Sequence, residues 1–218
     1  MIDHHLNDQE VRVLGALLEK SMATPEYYPL TLNSLVSACN QKSNRAPVVA
    51  YDETTVVRAI DGLKSKQFVV QNDASRVPKY AECFVGNAKL INREAALICL
   101  LLLRGPQTTG ELRGRAERLY TFTDLTEVGE TLSSLIDLEM VTKLPRQPGR
   151  KEARYAHLFA GEIEDVLVGA AVASPEEATL QVRAENERLA LLEGEVEVLR
   201  GEIGDLRQQF QEFKSQFD

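Results

Sequence analysis

Residues 29–40 read Pro29-Leu-Thr-Leu-Asn-Ser-Leu-Val-Ser-Ala-Cys-Asn40, and residues 52–64 read Asp52-Glu-Thr-Thr-Val-Val-Arg-Ala-Ile-Asp-Gly-Leu-Lys64. A polar loop, Gln41 to Tyr51, separates them, and Phe68-Val-Val70 follows. Leu32, Leu35 and Val36 share one face of a short helix. Asp52 is placed to cap a longer helix whose core face is Val56, Ile60 and Leu63. Phe68 to Val70 reads as a strand. Asn72 to Ser75 is turn chemistry, and Lys79 to Phe84 alternates as the returning strand.

Upstream, Leu6-Asn-Asp-Gln-Glu-Val11 carries the signals of a helix start. Asn7 is the cap, Glu10 reaches back to it, and Leu6 staples to Val11. Val11, Leu14, Leu17 and Leu18 carry that helix to about Glu19. Pro25 and Pro29 make Lys20 to Leu30 a loop. The order is three helices and then a hairpin, which is that of a winged helix.

The pattern recurs at residues 106–141. With an offset of 72, Asp52, Val56, Ile60, Leu63, Phe68 and Val69 meet Asp124, Val128, Leu132, Leu135, Met140 and Val141. Ile91-Asn92 is the expected counterpart of Leu6-Asn7, and Thr109 is the expected cap of the short helix to about Ala116. Pro145 to Lys151 reads as the second hairpin turn, with Ala153 to Leu158 returning. The fold class expected is therefore mainly α with small β-hairpins (α+β). It comprises one winged-helix domain over residues 1–86, a second over 87–161, and a joint and coiled-coil helix over 162–218. Gly86-Asn87-Ala88 is the expected linker.

From Val182 onward apolar residues recur in a heptad. Leu189, Leu192, Val196, Leu199, Ile203, Leu206, Phe210 and Phe213 occupy its seam. In a parallel pair Arg188 faces Glu193, Glu195 faces Arg200 and Glu202 faces Arg207, all opposite in sign. A homodimer through this helix is the expectation; a helix folded back on its own domains is the alternative. Gly194, Gly201 and Gly204 each weaken a helix interior by about 1 kcal/mol.

The net charge of −8 is uneven. Residues 1–87 sum to −1, 88–160 to +2 and 161–218 to −9. The acidity belongs to the tail, and charge alone does not announce nucleic-acid binding. No run of about 20 apolar residues is present, so no membrane span is expected. Met1-Ile-Asp-His-His5 lacks the pattern of a signal peptide. Cys39, Cys83 and Cys99 show no metal-ligand spacing and read as buried thiols of a cytoplasmic protein.

Long stretches resemble the YceH-like family of bacterial proteins. They are Leu6-Asn-x-x-Glu-x-Arg-Val-Leu-Gly-x-Leu-x-Glu-Lys20, Thr24-Pro-Glu-x-Tyr-Pro-Leu-Thr-Leu-Asn-x-Leu35, Ala38-Cys-Asn-Gln-Lys-Ser-Asn-Arg-x-Pro47, Val77-Pro-Lys-Tyr80 and Gly110-Glu-Leu-Arg-Gly-Arg-x-Glu117. The resemblance covers about residues 5–160. It implies a tandem winged-helix fold and no established activity or catalytic residue.

No nucleophile elbow, phosphate-cradling glycine loop or HExxH helix occurs. His4, His5 and His157 are scattered. No enzyme, metal or cofactor is expected. Double-stranded DNA is the leading expected partner, by analogy of fold. In a helix-turn-helix the third helix enters the major groove while the hairpin touches phosphates. In the first domain that helix offers Thr54, Thr55 and Arg58, with Lys64 further along it. The loop before it offers Gln41, Lys42, Ser43, Asn44 and Arg45. Such side chains suit phosphate, guanine or adenine, although Asp52 and Glu53 oppose phosphate.

In the second domain Glu127, Glu130, Asp137 and Glu139 would repel DNA. Its basic residues lie on the wing (Arg146, Arg150, Lys151) and on the short helix (Arg113, Arg115, Arg118). The latter three suit an acidic protein partner or the joint between domains. The alternative function is therefore a protein-interaction module, since tandem winged helices also resemble those of segregation and condensation protein B.

Overall fold

Asn7 and Glu10 close a reciprocal cap in the computed structural model, which describes residues 5–73, 76–146 and 152–160. The Glu10 amide donates to Asn7 Oδ1 and the Asn7 amide to Glu10 Oε2, both at 2.9 Å. This cap opens α1 (Asp8–Ala23). α1 runs one turn past the expected end at Glu19, because Pro25 is the first residue that cannot donate and the Thr24 amide still bonds the Lys20 carbonyl. Pro25–Tyr27 forms a 3-10 turn.

The remaining elements, in chain order, are β1 (Leu30–Thr31), α2 (Leu32–Cys39), α3 (Glu53–Ser65), β2 (Val69–Asn72), β3 (Lys79–Glu82), α4 (Phe84–Ala88), α5 (Asn92–Arg104), α6 (Thr109–Ala116), α7 (Leu125–Asp137), β4 (Val141–Lys143) and β5 (Tyr155–His157). The architecture is mixed: α-helices with small antiparallel sheets. One sheet has the order β1-β3-β2 and the other pairs β4 with β5. Among the described residues, no helix is long and apolar enough to cross a membrane. The heptad residues expected to form a coiled coil lie outside the described residues.

Superposing the two halves of the chain in sequence gives four offsets. Glu10 and Glu94 are 84 apart and occupy the same place in α1 and α5, each accepting from the amide three residues before it. Leu90, buried, is thus the counterpart of Leu6, while Ile91 is half-exposed. This corrects the expected pairing of Ile91-Asn92 with Leu6-Asn7 by one residue. The cause is burial: a staple needs its apolar residue inside, and only Leu90 is.

Thr31 and Thr108 are 77 apart and cap α2 and α6. Thr108, not Thr109, is the cap, since its hydroxyl accepts from the Glu111 amide at 3.2 Å. Asp52 and Asp124 are 72 apart and cap α3 and α7, at 2.8 and 2.9 Å to the amides of Thr55 and Glu127. Phe84 and Phe159 are 75 apart, each following the returning strand. The changes in offset fall in loops, where insertions cost least.

Two features escaped the sequence reading. β1 adds a third strand, with Leu30 opposite Tyr80. Gln107 makes the same bridge to Tyr155 in the second half. The expected linker Gly86-Asn87-Ala88 lies within α4, anchored by buried Phe84.

The core is continuous through both halves. α1 and α5, the equivalent helices, pack on each other. Gly15 permits it: a Cβ there would sit 2.9 Å from Leu103 Cδ2 and 3.2 Å from Leu102 Cβ. The Cys99 thiol reaches the Gly15 carbonyl at 3.6 Å, and these two positions are themselves equivalent, 84 apart. Phe84 stacks edge to face on Phe159 at 5.4 Å. Cys39 and Cys99 are buried, and burial pushes both thiols well above their usual range. Cys83 is half-buried rather than buried, because it sits where β3 gives way to α4.

Candidate nucleic-acid interface

α3 buries Val56, Ala59, Ile60 and Leu63, so helical geometry turns Thr54, Val57, Arg58, Asp61 and Lys64 outward. Thr55 is half-buried and its amide is held by Asp52. The Asp52 carboxyl lies below the usual range, because it accepts hydrogen bonds from Thr55. β2 and β3 stand beside this helix. Lys64 Nζ donates to Gln71 Oε1 on β2 at 3.0 Å, and exposed Arg76 lies in the turn beyond. Thr54, Arg58, Lys64 and the hairpin thus share one side of the first half.

The polar loop 41–51 divides differently from expectation. Lys42 and Ser43 are exposed. Arg45 is not: its side chain is fully covered and grips Glu19 with two hydrogen bonds, at 2.7 and 3.0 Å. It also donates to the Ala38 carbonyl at 2.8 Å and to Gln41 Oε1 at 3.0 Å. Burial alone raises the Glu19 carboxyl, but the hydrogen bonds and charge of Arg45 outweigh it and leave it lowered. Arg45 therefore has no surface to offer DNA. It is an internal tie, and its expected role is corrected on that ground.

Other ties hold the same loop. Asn40 bonds both backbone groups of Tyr51 at 2.8 Å. Buried Arg12 donates to the carbonyls of Cys39 and Pro47. The Ala46 amide reaches the Leu103 carbonyl of α5 at 2.9 Å, and Arg104 donates to Asn44 Oδ1. Polar groups of Asn40, Arg12, Arg45 and Arg104 fasten the loop. Sequence spacing gave no signal of this, since a buried and an exposed arginine in a polar loop look alike.

In the second half, α7 exposes Leu125, Glu130, Ile136 and Asp137, and Leu138 is exposed just beyond its end. Glu127 is held by Tyr120 Oη and by the Thr123 amide and hydroxyl, at 2.9, 2.9 and 3.0 Å. These bonds, led by the Thr123 amide, keep its carboxyl below the usual range. Arg113 donates to the Thr123 carbonyl at 2.9 Å. Arg115 donates to Gln107 Oε1 at 2.8 Å, and Gln107 is itself buried, donating to the Leu100 carbonyl. Arg118 is exposed. Arg146 is exposed on the second hairpin, while Arg150 and Lys151 lie outside the described residues. Thr54, Arg58 and Lys64 are thus all exposed along α3. The structure separates them from Arg146, which stands on the other hairpin.

Residues 6–150 match the family described as "Protein of unknown function, DUF480". The chain is 57% identical over 216 residues to a UPF0502 protein of Geobacter sulfurreducens, covering 98% of each. It is 55% identical over 220 residues to one from Geotalea uraniireducens, covering 100% of each. A UPF0502 protein of Photobacterium profundum is 44% identical over 216 residues, covering 95% of this chain and 97% of that protein.

Proposed function

The chain belongs to the DUF480 family of bacterial proteins, and we propose that it is a non-enzymatic, cytoplasmic, tandem winged-helix protein that binds double-stranded DNA through its first half. One observation carries this reading. The buried stripe of α3 leaves Thr54, Arg58 and Lys64 on an open face next to the β2–β3 hairpin with Arg76. That pairing of helix and wing suits a major groove and its flanking phosphates. Lys42 adds a further exposed cation before the helix. Asp61 and Glu53 on the same face limit affinity and favour base contacts over indiscriminate phosphate binding. The C-terminal heptads support a homodimer, which would present two such faces.

A second reading has its own observation. α7 exposes Leu125 and Ile136 among carboxylates, with exposed Leu138 at its C-terminal cap. An apolar and acidic helix face suits a protein partner rather than DNA. In this reading the second half docks a protein, as in the resemblance to segregation and condensation protein B.

Fluorescence anisotropy of a labelled random duplex tests the first reading. The full chain should bind at low salt and weaken steeply as salt rises, because phosphate contacts release counterions. Replacing Lys42, Arg58 and Lys64 together with Ala should abolish binding without loss of helical signal. Absence of binding at low salt would overturn the reading and favour the protein-partner role.

A further inference from the structure

A cavity of about 470 Å³ opens where the ends of α1 and α5 meet α6 and the polar loop. Four cations line it: Lys20, Arg104, Arg115 and Arg118. Its lining carboxylate, Glu19, is already gripped by Arg45 from behind and by Lys20 at 3.2 Å. Glu111 lies 3.6 Å from Arg115, so among the described residues Arg104 and Arg118 are the lining cations without a carboxylate partner. Leu103 and Leu119 supply an apolar wall.

Arg104 shows the strain of this arrangement. Its Nε is sealed from water and, among the described residues, has no hydrogen-bond partner. Burial, followed by the charges of Arg115 and Arg45, pulls its guanidinium below its usual range. Like charges crowded in a partly dry site invite an anion, which relieves repulsion and satisfies donors together. Guanidinium forks match phosphate oxygens two at a time. The volume falls in the range of small-ligand pockets and is far below that of a duplex.

We propose that this cavity binds a small organic molecule bearing a phosphate or pyrophosphate group. Lys20, Arg104, Arg115 and Arg118 hold the anion, and Leu103 and Leu119 contact its body. The site belongs to both halves of the chain and is independent of the α3 face. A free phosphorylated molecule and the backbone of a nucleic acid share this chemistry, so the test must separate them.

Isothermal titration of the full chain with sodium pyrophosphate, and separately with ATP, at ionic strength fixed with sodium chloride provides that test. At least one should bind. Arg118→Gln, at an exposed position, and Arg104→Gln should each weaken it about tenfold or more. Lys42→Ala combined with Arg58→Ala should leave it unchanged, and circular dichroism verifies folding of each variant. Failure of both probes to bind would overturn the proposal, as would binding that Arg104→Gln and Arg118→Gln leave intact. A labelled 20-base-pair duplex is the last arm. If it displaces the probe, and if Arg104→Gln and Arg118→Gln weaken both ligands alike, the cavity belongs to a DNA surface and the small-ligand assignment falls.

Discussion

Arg45 and Glu19 face each other across the interior of the first half in a two-point ion pair, at 2.7 and 3.0 Å. The guanidinium is fully covered and the carboxylate nearly so. The pair fixes the polar loop to α1. Removing one partner strands the other charge, which typically costs about 3–5 kcal/mol. Arg45→Ala should lower the unfolding free energy obtained from urea denaturation by that amount, and Glu19→Gln by less, since an amide still accepts a hydrogen bond. An unchanged midpoint for Arg45→Ala would show that the loop does not depend on this tie.

The same pair has a pH signature. Glu19 is lowered in the folded protein, so its stabilisation is complete above the unfolded carboxylate value of about 4.3. It is lost as pH falls through the lower folded value. Melting curves from pH 5 to pH 3 should fall more steeply for the wild type than for Glu19→Gln.

His157 acts at higher pH. Its Nδ1 is sealed and, among the described residues, has no hydrogen-bond partner, and burial lowers the imidazole to about 4, with Asp8 pulling the other way. The unfolded imidazole takes its proton near pH 6.5, the folded one only near pH 4. Stability is therefore full above 6.5 and declines between 6.5 and 4. The residue as a whole is partly accessible, so the slope should be smaller than the roughly 1.4 kcal/mol per pH unit of a sealed group. Replacing His157 with Gln should flatten the melting temperature between pH 7 and pH 5. An equal slope in both proteins would exclude His157 as its source.

Gly15 sets the distance between α1 and α5. Gly15→Ala places a methyl 2.9 Å from Leu103 Cδ2, and overpacking of this kind costs about 1–3 kcal/mol. Chemical denaturation measures it. A gain in stability would mean that Leu103 gives way freely.

Gln67 and Glu139 are equivalent positions, 72 apart, and both take the left-handed conformation, with φ of 61° and 56°. Each turns the chain from the third helix into its strand. Glycine adopts that conformation without the clash that a Cβ brings. Gln67→Gly and Glu139→Gly should each stabilise the protein by up to about 1 kcal/mol, measured as a rise in melting temperature. A fall in both would show that the side chains contribute more than the backbone strain.

The internal repeat also explains a difference between the halves. Glu10 lies over Gly62 and pairs with Lys66 at 2.6 Å. Its counterpart Glu94 accepts instead from Ser134 Oγ at 2.7 Å. Ser134 stands 72 residues after Gly62, at the same place on the third helix. One half makes room for an ion pair and the other supplies a hydroxyl, and either way the buried carboxylate is bonded.

The sequence by itself determined what is local and periodic. Asn7 with Glu10, and Asp52 and Asp124, announce helix starts, because capping needs only residues three positions apart. Val56, Ile60 and Leu63 announce a buried face, because helical spacing alone brings them together. The family followed from the same runs. Only the tertiary structure decided the rest. Arg45 is internal because Glu19, 26 residues earlier, comes to meet it. β1 exists because β3, some fifty residues later, offers it an edge. Lys20, Arg104, Arg115 and Arg118 become one cavity because α1 and α5 cross closely at Gly15. Each of these depends on partners distant in the chain, and a charge in a polar loop carries no local mark of whether water or another charge will meet it.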